Sequence, residues 1–146
     1  MTVIGTVGSD AKKDIAFANG CTHVINSTTE NVVTRVKEIT GGKGVPVVYD
    51  GVGQATFMTS LDCLMPRGLL VSFGNASGPV KGFELGILAG KGSLYVTRPT
   101  LGSYIASQAE FAEPAAYLVD FAQIGKVEIT HTERTPTGAG GTHHTA

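Results

Sequence analysis

Short glycine-containing turns follow three of the predicted strands, where small residues could let an anion approach the backbone. They read Gly8-Ser9, Gly51-Val52-Gly53 and Phe73-Gly74-Asn75. Glycine permits close approach, and the free N–H groups of a helix that follows attract negative charge. Tight turns between strands and helices also need glycine for their own geometry, which is the structural alternative for any one of them. Three turns at equivalent positions favour a nucleotide site, because nucleotide phosphates are bound in this way.

The residues after the first turn indicate which nucleotide is preferred. Ser9 supplies a hydroxyl group, and Lys12 and Lys13 supply cations one turn later. A carboxylate at this strand end would bind the ribose 2′-hydroxyl of NAD and would repel a 2′-phosphate. Asp10 is such an acid, but in the first turn of a helix it suits the positive end of the helix dipole. We therefore predict NADPH over NADH, with a solvated helix face as the alternative for the lysines.

Apolar segments of strand length alternate with helical periodicity along the chain. Strands are predicted at residues 3–7, 23–26, 45–50, 68–74 and 93–97, with a further short strand at 127–129. Ser9 and Thr29 are the predicted N-caps of the first two helices. Further helices are predicted around residues 57–64, at 83–89 and at 104–124, the last with Pro114 as a boundary. This alternation predicts right-handed βαβ crossovers and a Rossmann-like, doubly wound parallel α/β sheet.

Composition excludes several classes of function. With 146 residues and a net charge of −1, the chain is sized for one domain and carries no basic surface for nucleic acid or an anionic membrane. Its apolar runs are too short to span a bilayer. Cys21 and Cys63 fit no metal spacing, which favours reduced thiols in the cytoplasm. The tail from residue 130 has no apolar period and is predicted to be disordered, and adjacent His143 and His144 make a poor metal chelate.

Seven segments, in order, resemble the NADPH:quinone oxidoreductases, the zeta-crystallin-like branch of the medium-chain dehydrogenase/reductase superfamily. They read VIGTVG from residue 3, HVIN from 23, VKEITGGKG from 36, VYDGVG from 48, SLDCL from 60, RGLLVSFGNASG from 67 and GSLYVTRPTL from 92. The resemblance covers about residues 3–129. It implies that NADPH reduces a quinone without zinc, and that the edge strand at residues 94–97 pairs across a homodimer.

The resemblance also implies roles for individual residues. Lys12 matches the lysine that meets the 2′-phosphate. Ser27 stands where the family commonly has a tyrosine that helps hold the adenosine phosphate, so the tyrosine's contact is shortened or lost. No catalytic acid, base or nucleophile is implied, since hydride transfer depends mostly on positioning. The predicted cofactor-binding residues are Gly8, Ser9, Lys12, Ser27, Gly51, Val52, Phe73, Gly74 and Arg98.

The family carries a catalytic domain and a first strand with a Gly-rich turn, neither of which resembles anything in this sequence. In the strand order 3-2-1-4-5-6, the strands at residues 3–7 and 45–50 would flank the absent central strand. We therefore expect residues 1–129 to be a partial NADP-binding domain that is inactive and marginally stable alone. The gap could close by direct pairing of these two strands or be filled by another chain. The alternatives are a decayed, non-catalytic nucleotide-binding module and a fragment of another medium-chain enone or alcohol reductase.

Overall fold

The computed structural model describes residues 1–125, which divide into the unit Met1–Pro99 and a unit that begins at Thr100. Strands and helices alternate through the first unit, as predicted. In chain order they are β1 (Ile4–Val7), a 3-10 turn (Asp10–Lys12), α1 (Lys13–Ala18), β2 (His23–Asn26), α2 (Val32–Ile39), β3 (Val45–Asp50), α3 (Phe57–Asp62), β4 (Leu64–Ser72), α4 (Gly86–Gly90) and β5 (Tyr95–Thr97). No helix in the described part of the chain is long and apolar enough to cross a membrane.

The strands form two parallel sheets rather than one. β1 pairs with β2, while β3, β4 and β5 form the second sheet in that order. Within residues 1–125, β1 and β3 each have a strand neighbour on one side alone. Direct pairing of β1 with β3, one of the two predicted ways to close the gap, is therefore wrong for this structure. Within residues 1–125, the parallel strands and the helices between them are those of a Rossmann-like α/β domain, which confirms the predicted fold class.

A continuous apolar core joins the two sheets across the gap. Ile25, Val36 and Cys63 form one buried cluster, against which Val45 and Val48 of β3 pack. The same two valines also border a second buried cluster, whose members are Phe57, Leu61, Leu64, Leu70 and Leu94. Burial of each such side chain contributes about 1.5–3 kcal/mol. Side-chain packing therefore connects the sheets where strand pairing does not.

The first two helices begin differently from the sequence prediction. Asn31, not Thr29, is the N-cap of α2, and its Oδ1 accepts a hydrogen bond of 2.9 Å from the Thr34 N–H. Thr29 instead belongs to the turn after β2, where its N–H donates to the Asn26 carbonyl at 3.2 Å. Ser9 does occupy the N-cap position of the 3-10 turn, but its side chain makes no capping hydrogen bond. Several residues suited to capping compete in these stretches, and tertiary contacts decide among them.

The elements around β4 also differ in their limits. Leu64, predicted on the third helix, begins β4, so the strand starts four residues before the predicted Gly68. The register between β3 and β4 shifts between Val45 and Val47, and Pro46 lies at that irregularity. Proline is tolerated there because it cannot donate to a regular ladder. α4 begins at Gly86 rather than at residue 83.

The second unit contains α5 (Leu101–Tyr104) and α6 (Gln108–Gln123) instead of one helix broken at Pro114. The break lies just before α6, because Ser107 and Glu110 form a capping box there. The Ser107 N–H donates to Glu110 Oε2 at 2.9 Å, and the Glu110 N–H donates to Ser107 Oγ at 3.3 Å. This box satisfies free N–H groups at the start of α6. Pro114 lies inside the helix, and the predictions for residues 127–129 and 130–146 fall outside the described residues.

Candidate nucleotide site at the strand ends

The ends of β1 and β2 are joined by hydrogen bonds from the residues after β2. Ser27 donates to the Val7 carbonyl through its N–H at 2.9 Å and through its hydroxyl at 3.2 Å. The Thr28 hydroxyl donates to the Gly8 carbonyl at 2.9 Å. These contacts bring Gly8 and Ser27, two predicted site residues, onto one surface. The Ser27 hydroxyl is held by backbone, so its first role here is to order the two strand ends.

The two lysines at this strand end have different surroundings. Lys13 Nζ lies 2.9 Å from Asp10 Oδ1 and 3.3 Å from Glu30 Oε1, so its charge is paired. The Lys12 side chain is exposed, and no described residue forms an ion pair or hydrogen bond with its ammonium group. Lys13, followed by Asn26, lowers the pKa of the Asp10 carboxyl. Of the two lysines, it is Lys12 that remains available to an anion.

The glycines of the three turns are not equivalent. A Cβ at Gly8 would meet no atom within 4 Å, and the residue has no positive φ. At Gly74 a Cβ would collide with the Gly51 backbone, and at Gly53 it would lie 2.6 Å from the Gly78 carbonyl oxygen with φ at +92°. Packing of the chain itself therefore requires Gly53 and Gly74. Open space at Gly8 shows that packing of the chain does not require glycine there.

The ends of β3 and β4 form a second group of predicted site residues. The Phe73 N–H donates to the Asp50 carbonyl at 2.9 Å, and the Ser77 N–H donates to the Val52 carbonyl at 2.8 Å. The Phe73 ring lies 3.0 Å from where a Cβ on Gly51 would stand. Phe73 is 56% exposed and Val52 is 40% exposed. Two apolar side chains at the surface of a strand end could cover a flat ring.

Arg98 fastens the loop after β4. Its Nη1 donates to the Ser72 carbonyl at 2.8 Å and to the Gly74 carbonyl at 3.1 Å. The Asn75 side chain satisfies both of its neighbours when its amide nitrogen donates to the Gly74 carbonyl at 2.8 Å. In that orientation its amide oxygen accepts a hydrogen bond of 3.2 Å from Arg98 Nη2. These bonds hold the chain after β5 against the end of β4. Arg98 therefore positions the second group, and its charge stays at the surface.

Asp50, the last residue of β3, orders the turn between β3 and α3. Its carboxylate accepts from the Val52 N–H at 2.8 Å, the Gly53 N–H at 3.0 Å and the Ser60 hydroxyl at 2.7 Å. The Thr56 hydroxyl donates to it as well, at 2.8 Å. Burial raises the pKa of Asp50, but the hydrogen bonds outweigh burial and the pKa is lowered. An acid stabilised in this way is a poor proton acceptor.

Residues 1–125 contain no group of three or more His, Cys, Asp or Glu side chains that could hold a metal ion. Burial raises the pKa of the Cys63 thiol to about 11, with a smaller contribution from Asp62. A buried thiol with a raised pKa is inert. Cys63 therefore serves the core.

The predicted site residues fall into two groups that share no hydrogen bond within residues 1–125. The first group, at the ends of β1 and β2, comprises Gly8, Ser9, Lys12 and Ser27. The second, at the ends of β3 and β4, comprises Gly51, Val52, Phe73, Gly74 and Arg98. The groups lie on the two sheets that flank the gap. The sequence places Asp10 after the first predicted strand, but it does not show that the carboxylates of Asp10 and Asp50 are both held by hydrogen bonds.

Comparison with known proteins identifies relatives of this chain. A sequence profile described as zinc-binding dehydrogenase matches residues 1–120. A quinone oxidoreductase of Pseudomonas aeruginosa is 50% identical over 143 residues, which is 98% of this chain and 44% of that protein. One of Salmonella typhimurium is 54% identical over 134 residues, which is 90% of this chain and 41% of that protein.

A solved structure extends the likeness to three dimensions. The Escherichia coli quinone oxidoreductase complexed with NADPH matches with a TM-score of 0.87 and 51% identity, covering 89% of this chain and 40% of that one. The chain thus spans about two-fifths of the length of the relatives it matches. The resemblance found in the sequence is confirmed: the chain belongs to the zinc-binding dehydrogenase family, as a partial Rossmann-like domain related to its quinone oxidoreductases.

Proposed function

We propose that this chain supplies the NADPH-binding part of a quinone oxidoreductase. The observation that carries the proposal is the exposed ammonium group of Lys12, which has no ion-pair or hydrogen-bond partner within residues 1–125 and belongs to the turn that follows the open backbone at Gly8. A cation next to accessible peptide groups suits the 2′-phosphate that distinguishes NADPH from NADH. The neighbouring Lys13 is paired with Asp10 and Glu30, so of these two lysines it is Lys12 whose charge has no partner in the described part of the chain.

The other predicted site residues would contact the cofactor or hold the strand ends in position. Gly8 would let the adenosine phosphate approach the backbone, with Ser9 and Ser27 beside it. The exposed side chains of Val52 and Phe73 would border the nicotinamide half. Arg98 would keep the end of β4 in position through its bonds to backbone carbonyls.

The chemistry follows from the cofactor. Bound NADPH supplies a hydride, and a quinone that accepts it together with a proton becomes a hydroquinone while NADP⁺ is released. The residues of this chain would contribute by holding and orienting the cofactor, without zinc. Because the chain spans about two-fifths of its relatives, turnover is proposed for a complete protein of this kind. We expect no quinone reduction by the 146-residue chain alone.

Nucleotide titrations of the purified chain test the proposal directly. We expect NADPH to bind more tightly than NADH, and Lys12→Ala to weaken NADPH by about ten-fold, since a hydrogen bond between charged groups is lost. NADH binding should change little. Lys43→Ala is the matched control, because Lys43 is an exposed lysine in the turn before β3. Equal affinity for the two nucleotides, or equal effects of the two substitutions, would contradict the proposal.

The free edge of β5 supports a homodimer as a further part of the proposal. Tyr95, Val96 and Thr97 are all exposed, and within the described residues β5 pairs with β4 alone. An exposed strand edge is suited to pairing with the same edge of a second copy. We also infer a reducing, cytoplasmic setting, supported by the free thiols of Cys21 and Cys63.

A further inference from the structure

Asp10 is a negative charge at the place where a 2′-phosphate would bind. It lies in the same 3-10 turn as Lys12, two residues away. Its Oδ1 accepts a hydrogen bond of 3.0 Å from Asn26 Nδ2 and lies 2.9 Å from Lys13 Nζ. The acid that would disfavour NADPH is therefore held by a cation and an amide donor. We call Asp10, Lys13 and Asn26 the Asp10 clamp.

The two partners of Asp10 are themselves fixed. Asn26 is 2% exposed, its Oδ1 accepts from the Thr28 N–H at 3.0 Å, and its own N–H donates to Glu30 Oε1 at 2.9 Å. The Thr28 contact directs the amide nitrogen of Asn26 toward Asp10. Lys13 Nζ is shared with the same Glu30 oxygen at 3.3 Å. The clamp is thus anchored in β2 and in the turn before α2, and does not depend on exposed side chains alone.

The clamp neutralises the negative charge of Asp10. Asp10 and Lys13 cancel each other, and Glu30 is also paired with Arg35 Nε at 3.1 Å. With these pairs formed, Lys12 is the lysine of this turn whose charge has no partner among residues 1–125. Without Lys13, Asp10 would be an uncompensated carboxylate beside Lys12. That arrangement approaches the one that selects NAD, in which an acid at this strand end repels a 2′-phosphate.

We propose that the Asp10 clamp is a specificity-determining device that preserves the preference for NADPH by neutralising Asp10. Asp10, Lys13 and Asn26 act as positioning residues through Lys12 and need not touch the cofactor. The inference rests on the proposed NADPH binding and adds to it the reason why an acidic residue at this strand end does not reverse the preference.

Four forms of the 146-residue chain test the clamp: wild type, Asp10→Asn, Lys13→Met and the double variant. The measurement is the ratio of NADPH to NADH affinity, followed by NMR titration so that weak binding is quantified. Lys13→Met should lower the ratio by about two- to five-fold, the range of an exposed charge interaction. Asp10→Asn should raise it or leave it unchanged. In the double variant, the ratio of NADPH to NADH affinity should return to within about two-fold of the wild-type ratio, because the Asp10 carboxylate that Lys13 neutralised is absent as well.

The double variant separates the clamp from a direct contact. If Lys13 itself bound the phosphate, removing Asp10 would not restore the ratio, and the inference would be overturned. Lys43→Met, a lysine loss away from this turn, should leave the ratio unchanged. A ratio that Lys13→Met does not alter, in a chain where Lys12→Ala still weakens NADPH, would overturn the clamp and leave the proposed function standing. A wild type that does not prefer NADPH, or that binds neither nucleotide, would end the proposed function and the clamp with it.

Discussion

The carboxylate of Asp50 shows how one buried charge can order a strand end. It is 4% exposed and accepts hydrogen bonds from two backbone N–H groups and from the hydroxyls of Thr56 and Ser60. A buried charge is stable only when such donors compensate for lost water. The turn that holds Gly51 and Val52 in place therefore depends on the ionised form of this residue.

Asp50→Asn should destabilise the folded chain by about 1–3 kcal/mol at pH 7, because the amide cannot accept from all these donors and leaves some unsatisfied. The measurement is the free energy of unfolding in urea. Asp14→Asn is the control, an exposed aspartate on α1, and should change stability by less than about 0.5 kcal/mol. Equal effects of the two substitutions would show that the bonds of Asp50 contribute nothing specific.

The difference between the wild type and Asp50→Asn should also depend on pH. The pKa of Asp50 in the folded chain is lowered from its ordinary value of 3.8. Its contribution to stability is therefore complete above about pH 4 and is lost as the pH falls through the folded-state pKa. Asp10 and Glu30 have lowered pKa values too, but they are present in both proteins and cancel in the difference. A gap in unfolding free energy that stays constant from pH 5 to pH 2 would contradict this account.

At the scale of elements, the segments that follow β3 and β4 approach each other closely where Gly51 meets Gly74. A Cβ on Gly74 would collide with the Gly51 carbonyl, and both residues follow directly on strands that pair in register up to Asp50 and Ser72. The position of Phe73 and of the Arg98 contacts depends on this approach. A larger residue would have to separate the two strand ends.

Gly74→Ala should destabilise the chain by about 1–3 kcal/mol, the cost of inserting a methyl group into a packed site. Gly90→Ala, at the end of α4, is the matched control, because a Cβ there meets nothing within 4 Å. Alanine is the better helix former, so that change should be neutral or stabilising by up to about 1 kcal/mol. Thermal or urea unfolding measures both, and a neutral Gly74→Ala would disprove the close approach.

The sequence predicted the presence of helices and strands better than it predicted the residues at which they begin. Hydrophobic periodicity located the strands of the first unit and the helices between them, because burial of one face is a local pattern. It misplaced the start of α2, where Asn31 rather than Thr29 accepts from the helix. It also put the break in the last helical region at Pro114, although the Ser107–Glu110 capping box begins α6 before it. Capping groups compete over a few residues, and contacts elsewhere choose among them.

At the scale of the whole molecule, the gap between the sheets leaves two strand edges without a partner among residues 1–125. The Ser27 N–H donates to the Val7 carbonyl. The N–H and the carbonyl of one strand residue point to the same side, so both of these groups of Val7 face β2. Alternate residues of a parallel strand face opposite neighbours, which directs the Thr6 N–H toward the gap. By the same reasoning, the bond from Phe73 to the Asp50 carbonyl directs the Tyr49 N–H toward the gap from the other side.

Amide hydrogen exchange tests these edges. The N–H groups of Thr6 and Tyr49 should exchange at least about ten-fold faster than those of Val7 and Asp50, which face strand neighbours. The register Leu70↔Val96 directs the Val96 N–H away from β4, so its exchange should slow with rising protein concentration if β5 forms the proposed dimer. Equal protection of Thr6 and Val7 would mean that another strand fills the gap. Exchange of Val96 that is independent of concentration would contradict the dimer.

Local periodicity and motifs along the chain were enough to predict the parallel α/β fold, the order of the elements in the first unit and the family. Only the tertiary structure decided which of the two lysines is free, which glycines the packing requires, what Asp50 does and that β1 and β3 stay apart. Most of these depend on groups distant in sequence, whereas Asp50 is held by donors two to ten residues away that come together only in the folded turn. Lys13 is neutralised partly by Glu30, and Gly74 is constrained by Gly51. Charge and space at the strand ends therefore exist only once the strands have been brought together.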